Sequence, residues 1–178
     1  MSAKIEKMIR LGGDPILSTV CEPIGANENL EWIDKLKFVG RKHKRCAGLA
    51  APQIGVAKCA YITNVRDRKG SLRLRVFINP KITWHSEKTD VEAEECLSYP
   101  GKRKNIRRWE EIEVSYEDEK RQPQVEKFAG FEARVHQHEF DHTQGICRVG
   151  DDSPDIKEPE VDCLKLAAYA AAVSTTGW

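Results

Sequence analysis

The sequence predicts an α+β fold, with mainly antiparallel strands packed around a helix that carries a metal-binding pattern and a further helix at the C-terminal end. Three observations predict it. Alternation of apolar and polar residues, the period of a strand, fills 57–65 and 72–78 and recurs at 112–116. Helical spacing is confined to 27–45 and the last third of the chain, so strands do not alternate with helices as a parallel sheet requires. The 178 residues, 40% hydrophobic and 32% charged, suffice for one domain with its own core, and 1–178 is read as a single domain.

Gly13-Asp14-Pro15 reads as a turn that opens a short apolar run at 16–20, stopped by Pro23. Over 27–45, Leu30, Ile33, Leu36, Phe38 and Val39 recur at helical spacing, which predicts an amphipathic helix ending in the basic run Arg41-Lys42-His43-Lys44-Arg45. A small-residue loop follows at 47–55, then the strands at 57–65 and 72–78, the second punctuated by Asn79-Pro80. After 112–116 comes one more short strand at 124–128. Gly130 precedes a helix at 131–144, and Gly145 stands where a helix-ending glycine belongs. Residues 151–160, acidic and with two prolines, form an exposed connector, and the Ala- and Leu-rich 161–173 is the further C-terminal helix.

Twenty-nine basic against 28 acidic residues leave a net charge of +1, so no global field argues for DNA or a membrane surface as partner. No stretch approaches the ~20 apolar residues of a membrane span. The opening residues carry charges where a signal peptide would be apolar, which predicts a cytoplasmic protein, an organelle after transit-peptide removal being the alternative. Cys21, Cys46, Cys59, Cys96, Cys147 and Cys163 form no C-x-x-C pair; most are read as reduced thiols acting as small buried hydrophobes.

The strongest chemical signal is His138-Glu139-Phe140-Asp141-His142 on the predicted helix. Residues i and i+4 share a helix face, so both imidazoles can meet one metal ion while Glu139 leans toward the same site as a base. A hydrolytic metal centre takes three protein ligands and keeps one position open. The stretch downstream offers no histidine, only the carboxylates of the acidic connector, so the search for the third ligand turns upstream to Glu94-Glu95-Cys96-Leu97-Ser98. A cysteine thiolate suits zinc or ferrous iron, but composition alone does not favour Cys96 over the other five cysteines.

Three segments resemble the peptide deformylases. Gly48-Leu49-Ala50-Ala51-Pro52-Gln53-Ile54-Gly55 is similar to their first motif, Glu94-Glu95-Cys96-Leu97-Ser98 to their second and Gln137-His138-Glu139-Phe140-Asp141-His142 to their third. Gly13-Asp14-Pro15, Ile78-Asn79-Pro80 and Pro100-Gly101 agree as well, and the likeness runs in order from about residue 8 to 145. The resemblance implies an enzyme that removes the N-formyl group from the initiator methionine of nascent polypeptides and releases formate. It implies one divalent metal held by Cys96, His138 and His142, with Fe2+ in use and Zn2+ as a metal that preparation could leave there. Water activated by the metal would attack the formyl carbon. Glu139 would act as general base and then acid, and the Gln53 side-chain amide with the Leu97 backbone N–H would steady the developing oxyanion. Gly48 would let the substrate backbone approach closely, the nascent chain pairing as an added strand along 48–53 and 95–98. Val135 and Phe131, three and seven residues before His138 on the same helix face, are candidates for the methionine pocket.

The chain departs from the family pattern at Cys46 and Glu95, where glycines are usual, and at His136, where an aliphatic residue is usual. His136 lies two residues from His138 and is read as a buried histidine facing away from the metal. Basic runs at 41–45 and at Lys102-Arg103-Lys104 with Arg107-Arg108 flank the motifs and make transient contact with ribosomal RNA an expectation. Oligomeric state is not legible. Two rival readings share parts of this pattern. An endopeptidase would need the metal helix but neither Cys96 nor Gln53, and a silent homologue serving as a binding module is favoured only by the missing glycines.

Overall fold

A computed structural model describes residues 3–66 and 70–150. The expected connector at 151–160, the helix at 161–173 and Cys163 lie outside the described residues. The helices are α1 (Ala3–Glu6), α2 (Glu31–Lys42) and α3 (Gly130–Thr143). The strands are β1 (Gly48–Ala50), β2 (Ala60–Arg66), β3 (Leu72–His85), β4 (Thr89–Glu95), β5 (Arg103–Trp109), β6 (Glu111–Glu117) and β7 (Pro123–Ala129). They form a five-stranded sheet in the order β1-β2-β3-β6-β7 and a separate β4-β5 pair, every pairing antiparallel, so the α+β expectation holds.

The large sheet has apolar side chains on both faces. Leu49, Ile62, Val76 and Ile78 pack with Ile33, Leu36 and Val39 of α2 and with Ile5 and Ile9 near the N-terminus. Tyr61, Phe77, Ile112, Val114 and Phe128 pack with Ala133 and Phe140 of α3. Because successive residues of a strand face opposite ways and both faces are covered, β2 is buried along its first six residues, polar Thr63 and Asn64 included. The sheet thereby fixes α3 against one face, and α3 carries the pentad.

Four details differ from the sequence expectation. The loop at 47–55 contains β1, paired with β2, followed by one 3-10 turn (Ala51–Ile54) that ends on Gly55 at φ +87°. Asn79-Pro80 does not end β3. Asn79 takes φ +49° and the register against β6 shifts between Ile78 and Lys81, a bulge that accommodates a proline without an N–H to give. The Asn79 amide accepts from the Ile24 N–H (2.8 Å) and donates to the Ile24 carbonyl (2.9 Å), tying the N-terminal segment to the bulge. The expected helix at 27–45 is trimmed to Glu31–Lys42. Finally, β4 and β5 were not expected at all, because seven-residue stretches as charged as TDVEAEE and RKNIRRW present little apolar alternation. Opposite charges fall in register across the pair, Glu94 opposite Lys104 and Glu95 opposite Arg103.

Candidate metal centre

The C-terminal end of β4 and one face of α3 converge. Cys96 follows β4, and the ligating atoms of Cys96, His138 and His142 all lie within 4.8 Å of one another. Cys96 Sγ is 3.2 Å from His142 Nε2. Tetrahedral bonds of ~2.0–2.3 Å to nitrogen and sulfur would put ligand atoms roughly 3.3–3.6 Å apart, so the group fits a zinc- or iron-sized ion after small adjustments.

His138 is oriented from behind. Its Nδ1 is 2.9 Å from Glu94 Oε2, which leaves Nε2 to face the ligand group. Glu94 is itself buried and clamped by Arg108 (Nε 2.9 Å, Nη2 3.1 Å) and by Arg134 Nη1 (2.8 Å). Arg108 reaches on to Asp141 of the pentad (2.5 Å), which also accepts from Arg148 Nε (2.9 Å). Burial works to raise the Glu94 pKa, but Arg108 and His138 hold it well below the carboxylate range. Burial would lower the His138 pKa, and the Glu94 bond lifts it to about 9.

Glu139 is buried, and its Oε2 has no hydrogen-bond partner among the described residues. Desolvation raises its pKa to about 7 against the attraction of His138. Its carboxylate rests on Gly48, where a Cβ would come within 2.5 Å of Oε1. The close approach that needs a glycine here is therefore to the Glu139 side chain. Gln53, in the 3-10 turn, has its amide orientation fixed: Oε1 accepts from the Ala50 N–H (2.9 Å), and Nε2 donates to Ser98 Oγ (3.1 Å) and faces Cys96 Sγ (3.5 Å). Leu97, between Cys96 and Ser98, is half-buried against the α2-side core.

A cavity of about 860 Å³ opens over these residues, lined by Gly48, Cys96, Leu97, Val135, His138 and Glu139, with Phe131 also on its wall. Val135 is buried, while Phe131 is 61% exposed. His142 and Gln53 are not among the lining residues.

The departures from the family pattern are absorbed without backbone strain, since neither Cys46 nor Glu95 has a positive φ. Cys46 packs into the α2-side core and donates from Sγ to the Gly48 carbonyl (3.1 Å). Glu95 points to solvent and pairs with Arg45 (3.3 Å). His136 faces away from the ligands, its Nδ1 2.9 Å from the Tyr61 hydroxyl and its ring stacked on Phe128, and burial pushes its pKa down to about 3. The basic flank is smaller than expected. Arg108 is buried in the Glu94–Asp141 network, and the mouth mixes His43, Arg45 and Lys102 with Glu6, Glu92 and Glu95.

Sequence reading missed Glu94, Arg108, Arg134 and Asp141 as the frame of the centre. A period-two signal was present, since Glu94 and Cys96 are buried on either side of exposed Glu95. It was hidden because the buried member of the pattern is itself a carboxylate.

An α+β frame that gathers two imidazoles and a thiol beside a buried carboxylate defines, as a class, a metal-dependent hydrolase. Known proteins narrow that class: the family model described as polypeptide deformylase matches residues 6–154, and the chain belongs to that family. A peptide deformylase from Pseudothermotoga lettingae is 37% identical over 147 residues, covering 79% of each chain. One from Brachyspira hyodysenteriae is 39% identical over 140 residues, 75% of this chain and 74% of the relative. Among solved structures, a class I type b peptide deformylase from Acinetobacter baumannii with Met-Ala-Ser bound superposes with a TM-score of 0.70 at 30% identity, over 78% of this chain and 93% of that one. The Thermotoga maritima enzyme gives 0.67 at 32% identity, over 82% and 97%.

Proposed function

We propose that this enzyme removes the N-formyl group from the initiator methionine of nascent polypeptides, releasing formate, at one divalent ion held by Cys96, His138 and His142. The observation that carries the reading is the ligand trio lying beside a buried carboxylate whose outer oxygen is free. A divalent ion held there supplies Lewis acidity and makes a water acidic near neutral pH. The thiolate and two imidazoles suit Fe2+, our choice for the working metal, and Zn2+, which binds such sites at least as tightly.

The remaining work falls to the chain. Glu139 Oε2 takes the proton from the attacking water and passes it to the departing amine, its burial making the carboxylate a stronger base than an exposed one. Gln53 Nε2, held in place from its Oε1 side, and the Leu97 backbone N–H donate to the formyl oxygen as its charge grows. Glu94 keeps His138 in the tautomer that presents Nε2. Gly48 leaves the Glu139 carboxylate its place. Val135 and Phe131 form the apolar wall for the methionine side chain.

β1 is an outer strand of the large sheet, and the β4 end lies across the same cavity. Those two edges offer main-chain groups to a peptide added as a strand. The Acinetobacter relative crystallised with Met-Ala-Ser supports a substrate of that kind. Nascent chains are met where translation occurs, so the expected location is the cytoplasm, with a translating organelle as the alternative. The test is incubation of the metal-loaded protein with formyl-Met-Ala-Ser and with an unblocked polypeptide. Formate from the first and no internal cleavage of the second is expected; internal cleavage without formate would favour an endopeptidase, and neither product a binding module.

A further inference from the structure

Cys147 has no part in the reaction as described, yet it touches the centre. After α3 the chain turns at Gly145, φ +70°, and packs Cys147 against the cluster that holds Cys96, where the two thiols interact. The two sulfurs share a small cluster with Ile106, Val149 and Tyr99. Cys147 lies outside the group formed by Cys96, His138 and His142, so its sulfur meets Cys96 and not the common centre of the ligands. Both thiols can be reached. Cys96 is on the cavity wall and Cys147 is half-buried.

We propose that Cys96 and Cys147 are a reversible dithiol–disulfide site, closed by a hydroperoxide when no metal holds the Cys96 sulfur. A disulfide requires S–S of ~2.05 Å with Cα atoms roughly 4.4–6.8 Å apart, and two thiols packed in one small cluster have only to approach one another to form it. Cys147 lies in a turn segment and not in a helix: the Gly150 N–H bonds back to its carbonyl at 3.0 Å. One sulfur attacks the peroxide, the O–O bond breaks, and an alcohol leaves. The resulting sulfenic acid is attacked by the second sulfur, the S–S bond forms, and water leaves. The two thiols together give up two electrons and two protons, which reduce the hydroperoxide to alcohol and water. The disulfide removes the thiolate from the ligand set, and a dithiol reductant restores it. The loss of metal uptake rests on the reading of Cys96 as a ligand, whereas the disulfide does not.

The test uses the full chain, stripped of metal by chelation under reducing conditions and then treated with tert-butyl hydroperoxide. After alkylation and trypsin without reductant, peptides 89–102 and 135–148, each with one cysteine, are expected joined with the loss of two hydrogens, and separate after dithiothreitol. Zn2+ uptake should vanish on oxidation and return on reduction. Zn2+ bound beforehand should prevent the link. In Cys147→Ser, Cys96 should proceed to sulfinic acid, with uptake not restored by dithiothreitol. Wild-type Cys96 recovered as free thiol, as sulfinic acid or joined to another cysteine would overturn the proposal. Cys21 and Cys59 are the internal comparison: they are in contact but almost wholly buried, and should stay reduced. If the link forms but Zn2+ neither protects Cys96 nor loses its site, the dithiol stands and the ligand assignment falls.

Discussion

At the scale of single residues, most chemistry in the candidate site was readable because it sits in short contiguous motifs, whereas the reason for Gly48 was not. The sequence offered a small-residue loop and implied an approach by substrate; the structure puts the Glu139 carboxylate against that Cα. Gly48→Ala should therefore displace Glu139 and lower kcat while metal content stays at one per chain, measured by steady-state formate release beside metal analysis. Glu139→Ala should likewise keep its metal and lose the ~10²–10⁴-fold typical of general acid–base catalysis. The charge of Glu95, beside the mouth of the cavity, favours basic residues after formylmethionine. Its pairing with Arg45 tempers that preference, because exposed ion pairs of this kind are worth ~0–1 kcal/mol. In Glu95→Gly the kcat/KM ratio of formyl-Met-Lys to formyl-Met-Glu should fall by no more than about fivefold, and only at low salt. An unchanged ratio at low ionic strength would show Glu95 to be inert.

At the scale of elements, α2, β2, β3 and β6 announced themselves through apolar periodicity and α3 through the glycines that bound it, whereas nothing announced β4 and β5. Their stability comes from charges whose partners are distant in sequence: Glu94 of β4 meets Arg108 of β5 and Arg134 of α3, and Asp90 of β4 also pairs with Arg134. Such pairing becomes visible only once the chain has folded. The same network binds three elements to one metal ligand, so its loss should register twice. Glu94→Gln leaves two buried guanidinium groups short of a counter-charge and weakens the hold on His138. Removing one member of a buried ionic set costs ~3–5 kcal/mol, and loss of an outer partner of a metal ligand typically lowers metal affinity ~10–100-fold. Denaturant unfolding and competition with a metal chelator measure the two effects separately.

At the scale of the whole molecule, the site is assembled from motifs that the extended N-terminal segment ties together. The Arg10 N–H donates to the Gln53 carbonyl (2.7 Å) and the Gly12 N–H to the Ser98 carbonyl (2.8 Å), linking the first two motifs through a stretch that belongs to neither. The third motif is brought in by α3 packing on the sheet, and Gly145 closes that helix where a Cβ would strike the Ser18 backbone at 2.7 Å. Among the described residues no helix is long and apolar enough to cross a membrane. A metal shared by β4 and α3 should stabilise this whole arrangement. At a free concentration about 1,000 times its Kd it adds ~4 kcal/mol, which for a chain of this size raises Tm by roughly 8–16 °C. The central claim joins that metal to the chemistry, and it is tested most directly by adding Fe2+ back to chelator-stripped protein under anaerobic, reducing conditions while formate release from formyl-Met-Ala-Ser is followed. Activity should rise in proportion to metal and stop at one equivalent per chain in the native protein, and should not rise at all in Cys96→Ala. Full activity in the stripped protein, or an undiminished rise in Cys96→Ala, would contradict it.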